Sequence, residues 1–264
     1  MAIALSIAGS DSGGGAGVQA DLKTFSALGV YGASVLTAIT AQNTRVVARV
    51  EGVSADMIRA QIDAVMDDLD IGAVKIGMLG SVSAMLAVAK ALAGCAVPIV
   101  LDPVMVAKSG DRLIEDEAVA ALKERLLPLA TVLTPNLPEA ARLLAGAVVT
   151  DAAGTLAQAE ALRALGPQWV LMKGGHAGGE ECIDRLIGPE YRDFAARRIA
   201  TCNTHGTGCS LSSAIAAGLA QGMSVPEATA RAHGWLHGAI LAADGLRVGS
   251  GHGPVHHFYQ WWTA

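Results

Sequence analysis

The stretch Asn203-Thr204-His205-Gly206-Thr207-Gly208-Cys209 runs straight into a segment where Leu211, Ile215 and Leu219 recur at helical spacing. Glycines that open a helix leave its first N–H groups unpaired, and the helix dipole adds positive potential there. A phosphoryl group in transfer carries the kind of charge that such an anion hole stabilises. Cys209 falls in the first turn, where the same field is expected to lower its thiol pKa. The plainer alternative is an ordinary glycine-rich cap beside a buried cysteine.

Polar and distinctive residues also recur wherever a short apolar run ends. Gly9-Ser10-Asp11 follows Ala2–Ala8, Gln42 follows Ser34–Ile39, Met78 trails Ala73–Ile76, and Asp102 ends Val97–Leu101. Asn136 lies just past Thr131–Leu133, and Lys173 terminates Trp169–Met172. Taken singly, a loop Asp such as Asp102 is most simply a helix cap. Taken together, these residues mark one edge of a sheet, and in open α/β sheets ligands bind beyond the carboxyl ends of the parallel strands. Asn136 and Glu139 stand at capping-box spacing. The same Asn-x-x-Glu spacing can organise Mg²⁺ and its waters beside phosphates, because Mg²⁺ takes oxygen ligands and keeps several waters. The two roles are compatible.

A second glycine cluster, Gly13-Gly14-Gly15-Ala16-Gly17, lies between an apolar run and an amphipathic segment. Gly15-x-Gly17-x-x-Ala20 fits the relaxed dinucleotide fingerprint, but that fingerprint needs an acid about 20 residues on to hold the ribose. The stretch Leu36 to Asn43 contains no acid, and no GxxxxGK[ST] occurs. A nicotinamide oxidoreductase and a P-loop protein are therefore both disfavoured. A loop that embraces the substrate, or a tight turn, is left.

The apolar pattern shows the elements that must position these groups. The six runs named above are apolar almost without interruption, as strands buried on both faces of a parallel sheet are. Between them, Val18, Leu22 and Phe25, then Ile58, Ile62, Val65 and Leu69, then Val119, Leu122 and Leu126 recur at spacings of three and four. Each set occupies one helix face. Such alternation predicts a doubly wound α/β fold with a central, mostly parallel sheet and helices on both faces. A hairpin is expected at Cys182–Ile187 and Arg192–Arg197 about a Gly188-Pro189 turn, and Ala-rich helices near Thr207–Gln221 and Pro226–Ala243. No repeat, linker or low-complexity tract divides the chain, so residues 1–264 are expected to form a single domain.

Of 264 residues, 52% are hydrophobic and 16% charged, ample for one large core. A net charge of -5 with scattered Lys and Arg offers no surface for nucleic acid or an anionic membrane. Cys95, Cys182, Cys202 and Cys209 form no CxxC pair, which fits reduced thiols. The apolar N-terminus lacks a basic region and reads as a strand rather than a signal peptide. Lys75, Lys90, Pro98 and Asp102 interrupt every apolar run short of about 18 residues. A soluble, cytoplasmic protein is expected.

The Asn-x-x-Glu pair with a glycine-rich anion hole near the C-terminus resembles the ribokinase-like superfamily. More closely, the chain resembles the hydroxymethylpyrimidine/phosphomethylpyrimidine kinases of thiamine biosynthesis. The likeness is carried by Ala8 to Asp11, Gly14 to Gly17, Gln19 to Phe25, Ala41 to Thr44, Lys75 to Leu79 and Leu101 to Met105. It continues through Ala107 to Asp111, Thr134 to Glu139, Met172 to His176, Asn203 to Cys209 and Gly253 to His257. These motifs follow in order over essentially the whole chain.

The resemblance implies a ribokinase-like fold, ATP and Mg²⁺ as cofactors, a small-molecule pyrimidine substrate and a homodimer. It implies that Asp21 and Gln42 hydrogen-bond the aminopyrimidine near Gly9. A carboxylate accepts from the exocyclic amine, and an amide both donates and accepts along the ring edge. By the same resemblance Met78 and Val104 wall the ring. A second phosphorylation needs a cation for the phosphate already on the monophosphate, and Lys108, in the Ala-Lys-Ser-Gly loop, is the candidate. The resemblance further implies that Lys173 and Thr207 contact nucleotide phosphates, and that Asp102, Asn136 and Glu139 organise Mg²⁺. Gly206, Thr207 and Gly208 line the anion hole, and Cys209 stands where sugar kinases carry Asp as the base. At Ser12 the chain departs from the family, which commonly has Pro after the Asp; without a fixed φ the loop is expected to be looser. No second enzyme domain is expected after residue 264.

Two rivals frame this expectation. A pyridoxal kinase would share fold and chemistry, although Asp21 and Gln42 suit an amine better than the oxygens of pyridoxal. A non-catalytic pyrimidine-binding protein would have no need of Lys173, Asn136, Glu139 and the anion-hole glycines. His233 and His237 are four apart, and His252, His256 and His257 lie in a short tail. No third ligand is evident for the first pair, and packing in the core or the tail is expected of both sets. Trp261 and Trp262 are expected to pack at the C-terminus or in an oligomer contact.

Overall fold

Alternation along the strands decides which side of the sheet each residue faces, and the central strands are apolar on both. The computed structural model describes residues 1–105 and 116–262. Its strands are β1 (Ile3–Ala8), β2 (Tyr31–Leu36), β3 (Ala38–Gln42), β4 (Val47–Gly52), β5 (Ala73–Ile76) and β6 (Ile99–Leu101), followed by β7 (Val132–Leu133), β8 (Trp169–Met172), β9 (Glu181–Ile187) and β10 (Tyr191–Arg197). Eight form one sheet in the order β10-β9-β8-β7-β6-β5-β1-β2. It is parallel from β2 to β8, and β9 pairs antiparallel with both β8 and β10. The expected α/β architecture and the β9–β10 hairpin are both present.

The helices are α1 (Gly17–Ala27), α2 (Ala55–Asp68), α3 (Val82–Ala91), α4 (Asp116–Ala121), α5 (Leu137–Leu143), α6 (Ala152–Arg163), α7 (Thr207–Ala220) and α8 (Val225–Leu241). Side-chain caps begin several of them, among them Ser54, Ser81 and Asp151, each accepting from an N–H three residues on. Leu5, Val74, Leu101, Leu133 and Val170 face a core shared with α2, α3, α5 and α6. Their neighbours Ala4, Ala73, Val100, Val132 and Leu171 face a second core shared with α1, α7 and α8. Among the described residues, no helix is long and apolar enough to cross a membrane.

One expected strand is divided. The run Ser34–Ile39 breaks at Thr37, whose N–H donates to the Ala8 carbonyl and whose hydroxyl donates to the Met78 carbonyl. β2 ends before it, and β3 starts after it in a separate antiparallel hairpin with β4. β4 is mostly exposed, so no apolar run announces it.

Within the α1/α7 core lies a charged pair. Asp21 of α1 and Lys75 of β5 are both 0% exposed. Lys75 Nζ donates to both carboxylate oxygens, at 2.9 and 2.8 Å. Ser6, which faces Lys75 in the β1–β5 register, donates at 2.6 Å, and Ser213 of α7 donates at 2.7 Å. Burial opposes the Lys75 charge, but Asp21 and nearby Asp102 hold its pKa above the ordinary lysine value. The expectation that Asp21 meets the ligand is therefore corrected. Both of its oxygens are committed to partners in the dry core, and it does not line the cavity described below.

Removing one member of such a pair strands the other charge. Lys75→Met is expected to lower the unfolding free energy in urea by about 3–5 kcal/mol, with part recovered on adding Asp21→Leu. A loss below about 1 kcal/mol in the single variant would refute this constraint.

Candidate active site

The carboxyl ends of β8, β7, β6, β5 and β1 lie side by side, and the residues just beyond them line a cavity of about 540 Å³. Lys173, Asn136, Asp102, Met78 and Gly9 stand along this edge in that strand order. Gln42 at the end of β3, Val104, Glu139 and the turn Gly206 to Cys209 complete the groups singled out from sequence. Lys108 lies outside the described residues.

At the polar end, Lys173 Nζ donates to Asp102 Oδ1 at 2.8 Å and lies 3.9 Å from Glu139 Oε2. Thr134 Oγ1 donates to the same Asp102 oxygen at 3.2 Å. Asn136 and Glu139 form a full capping box at the start of α5: Glu139 N–H donates to Asn136 Oδ1, and Asn136 N–H to Glu139 Oε2, both at 2.8 Å. The Lys173 N–H donates to the Pro135 carbonyl, which ties β8 to this turn. Burial pushes the Glu139 carboxyl up; Lys173 opposes this, Asp102 adds to it, and the result is about 7. Burial would lower the Lys173 pKa, but Asp102 and Glu139 hold it well above the ordinary lysine value.

α7 begins against this group. Gly206 has φ +79°, and a Cβ there would collide with the Gly15 carbonyl oxygen, so the residue must be glycine. The contact locks the two glycine clusters together. Gly208 has ordinary backbone angles, yet a Cβ on it would lie 3.3 Å from Lys173 Nζ and 3.4 Å from Asp102 Oδ2. The open N-terminus of the helix thus faces the lysine and carboxylate directly.

The expected lowering of the Cys209 pKa does not occur. Burial pushes the thiol up to about 11; Lys75 and the Gly17 N–H pull it down, while Asp21 and Asp102 add to the rise. The residue is half-buried, lines the cavity and feels both members of the buried charged pair. Cys209 is a neutral thiol in the protein alone.

The other end of the cavity is organised around Asp11, which is 3% exposed. Its oxygens accept from the N–H groups of Gly13, Gly15 and Ala16 at 2.8, 3.1 and 2.8 Å, and His205 Nε2 lies 2.8 Å from Oδ2. Burial alone would raise the Asp11 pKa, but His205 and the loop N–H groups bring it below the ordinary carboxylate value. Ser12, expected to loosen this loop, instead ties it down. Its hydroxyl donates to the Gln42 carbonyl at 2.9 Å and accepts from the Gln42 N–H at 2.8 Å. Thr40, Arg142, His176 and His205 also line the cavity and were not singled out from sequence. Lys75 had a usable signal, a lysine inside a fully buried strand; His205 had none beyond its place in a glycine turn.

A sequence profile of the phosphomethylpyrimidine kinase family matches residues 11–256. The hydroxymethylpyrimidine/phosphomethylpyrimidine kinase of Rhizobium meliloti (strain 1021) is 59% identical over 262 residues, 99% of this chain and 98% of that protein. The thiamine biosynthesis bifunctional protein ThiED of Geobacter sulfurreducens is 50% identical over 255 residues, 96% of this chain and 51% of that protein. Among solved structures, an ADP complex of Bacillus subtilis pyridoxal kinase superposes with TM-score 0.91 at 37% identity, covering 100% of both chains. A phosphomethylpyrimidine kinase from Clostridium difficile 630 gives TM-score 0.81 at 42% identity, covering 91% of this chain and 100% of the other.

The two glycines of the α7 turn are expected to behave differently. Gly206→Ala should lower the melting temperature by several degrees, since it forces both a strained φ and a backbone collision. Gly208→Ala should melt within about two degrees of the parent yet weaken ADP binding in calorimetry by about tenfold or more. Equal effects of both variants on melting would contradict this division.

Proposed function

The chain belongs to the phosphomethylpyrimidine kinase family, and from that premise we propose how its cavity divides the work of the reaction. The protein is a phosphotransferase that phosphorylates 4-amino-5-hydroxymethyl-2-methylpyrimidine, and then the monophosphate to the diphosphate, for thiamine biosynthesis. ATP is the phosphoryl donor that this family implies. In the first step the hydroxymethyl oxygen bonds to the γ-phosphorus. The bond from that phosphorus to the bridging oxygen breaks, ADP leaves with the electron pair, and the alcohol proton passes to an oxygen of the transferred phosphoryl group. The observation that carries the assignment is Lys173, held by Asp102, lying against Gly208 at the open end of α7.

Phosphoryl transfer depends on positioning and charge stabilisation more than on covalent chemistry. We assign Lys173 and Thr207 to the nucleotide phosphates, and Gly206, Gly208 and the first N–H groups of α7 to the charge on the transferring group. Gln42 and Gly9 take the pyrimidine edge, with Met78 and Val104 as apolar walls. Lys108 is the candidate for the phosphate of the monophosphate.

The donor set fits Mg²⁺. Asp102 and Glu139 are buried oxygen donors side by side, with Lys173 as the cation lying against both. Among the described residues, no three His, Cys, Asp or Glu side chains form a cage, which suits an ion that keeps waters and shares phosphate oxygens. When bound, Mg²⁺ supplies positive charge to the phosphate oxygens. Asn136 serves Glu139 through the capping box. A cytoplasmic homodimer built from one kinase domain completes the proposal. Support comes from the free cysteines, the exposed Ile39, Val46 and Val50 of the β3–β4 hairpin, and the continuous sheet.

Cys209 enters as a neutral thiol. We assign it to the acceptor hydroxyl as a positioning contact: a neutral thiol takes no proton, so the alcohol proton passes late to an oxygen of the transferring phosphoryl group, once transfer has drawn charge from the alcohol oxygen. Cys209→Ala is then expected to lower kcat by about tenfold or less, where removal of a standing general base costs about 100-fold or more. A loss beyond 100-fold, with parent kcat rising steadily toward pH 10, would show a thiolate base instead.

The reaction is tested by ADP release with ATP and Mg²⁺ and, in parallel, the hydroxymethylpyrimidine, its monophosphate and pyridoxal. Turnover of both pyrimidines is expected at a kcat/KM at least about tenfold above pyridoxal. Turnover of pyridoxal alone would keep the phosphate assignments and reject those of Gln42 and Gly9.

A further inference from the structure

Gln42 meets two side chains in the cavity wall, and the protons on those side chains decide which way its amide points. In the orientation the structure gives the amide, Gln42 Nε2 lies 3.4 Å from His205 Nε2, and Gln42 Oε1 lies 3.3 Å from Thr40 Oγ1. His205 Nε2 also lies 2.8 Å from Asp11 Oδ2. That carboxylate already accepts from three backbone N–H groups, an environment that keeps it ionised and able only to accept. His205 Nε2 must then carry a hydrogen, whether the ring is neutral or charged. A ring nitrogen that carries a hydrogen cannot accept another from an amide N–H.

Thr40 gives the same answer from the opposite end of the amide. Its single hydroxyl hydrogen goes to the Ser10 carbonyl at 2.8 Å. The Gln42 atom 3.3 Å from that hydroxyl oxygen therefore has to be a donor. Side-chain amide oxygen and nitrogen are told apart only by such partners. Both neighbours ask for the same reversal.

We infer that the Gln42 amide is turned over, with Oε1 toward His205 and Nε2 toward Thr40, and that His205 is a positioning residue that fixes this order for the incoming ring: the Nε2 hydrogen, directed mainly at Asp11, excludes an amide N–H from that end and favours the amide oxygen there. Each end then keeps one group for a ligand: a lone pair on the oxygen and one N–H on the nitrogen. Ser12 holds the Gln42 backbone at both its N–H and its carbonyl, so the side chain turns on a fixed base. An acceptor and a donor in fixed order match a ring that carries an amine beside a ring nitrogen. A ring with oxygen in place of the amine needs a different order, which a locked amide cannot supply. This step rests on the assignment of Gln42 to the pyrimidine edge.

Nitrogen NMR of histidine-labelled protein, with His205→Asn to assign the signal, reads the ring directly. Nε2 of His205 is expected to be of the N–H type, and a pyridine-type Nε2 would overturn the orientation. Kinetics on His205→Ala, Gln42→Ala and the double variant then read the positioning role. His205→Ala is expected to raise the pyrimidine KM about tenfold and to lower the pyrimidine-to-pyridoxal kcat/KM ratio similarly, with the ATP KM within about twofold. In the Gln42→Ala background the same change should add nothing. His205→Gln, which keeps a donor N–H, should recover most of the loss. Equal losses in both backgrounds, or an ATP KM rising in step with the pyrimidine KM, would overturn the positioning role. If Gln42→Ala leaves the pyrimidine KM unchanged, the ring assignment and the specificity role fall together, while the NMR signal judges the amide orientation separately.

Discussion

A lysine and an aspartate share a dry position where β1, β5, α1 and α7 meet, and the geometry of the site hangs from that meeting. Neither charge could be buried alone, because desolvating an unpaired ion costs several kcal/mol. Asp21 is therefore held where Lys75 can reach it, and Ser6 and Ser213 supply its remaining hydrogen bonds. α1 and α7 are drawn onto the same face of the sheet as a result. Their N-terminal turns carry the two glycine clusters, and the approach of Gly206 to the Gly15 carbonyl closes the site between them. Cys209 lies one helical turn before Ser213 on α7, which seats its sulfur beside the pair.

The polar end of the cavity follows a different electrostatic logic. Two buried carboxylates, Asp102 and Glu139, face one ammonium, Lys173. Burial raises Glu139, Asp102 adds to the rise against the pull of Lys173, and the two carboxylates together hold Lys173 protonated. A nucleotide brought in with a divalent cation adds anionic oxygens for Lys173 and the α7 N-terminus, and positive charge for the carboxylates. Catalysis by placement of charge needs no strong base, which accords with the neutral Cys209 thiol.

The likeness to both pyrimidine and pyridoxal kinases has a physical basis in this division. On the proposed assignments, Lys173, Asp102 and the glycine turn handle phosphate, which the two reactions have in common. On the same proposal, Gln42, with Thr40, His205 and Ser12 around it, handles the ring, where the substrates differ. Selectivity is then a matter of the order of donors and acceptors on one amide rather than of the fold.

The α/β class, five of the six expected strands, the β9–β10 hairpin and the common edge of Asp102, Asn136 and Lys173 were legible in the sequence. The reason is local: apolar period reports element type, and parallel strands of one sheet must place their carboxyl ends at one edge, so Asp102, Asn136 and Lys173 had to be neighbours. The β3–β4 hairpin escaped because exposed strands carry no apolar signature. Asp21 was read as a ligand and proved to be a buried ion, and Cys209 was read as a lowered thiol and proved to be a raised one. His205 gained its role only when Asp11 and Gln42 came within reach of it. These outcomes depend on burial and charge compensation summed over partners as far apart in the chain as Asp21 and Ser213, and only the packed structure brings those partners together.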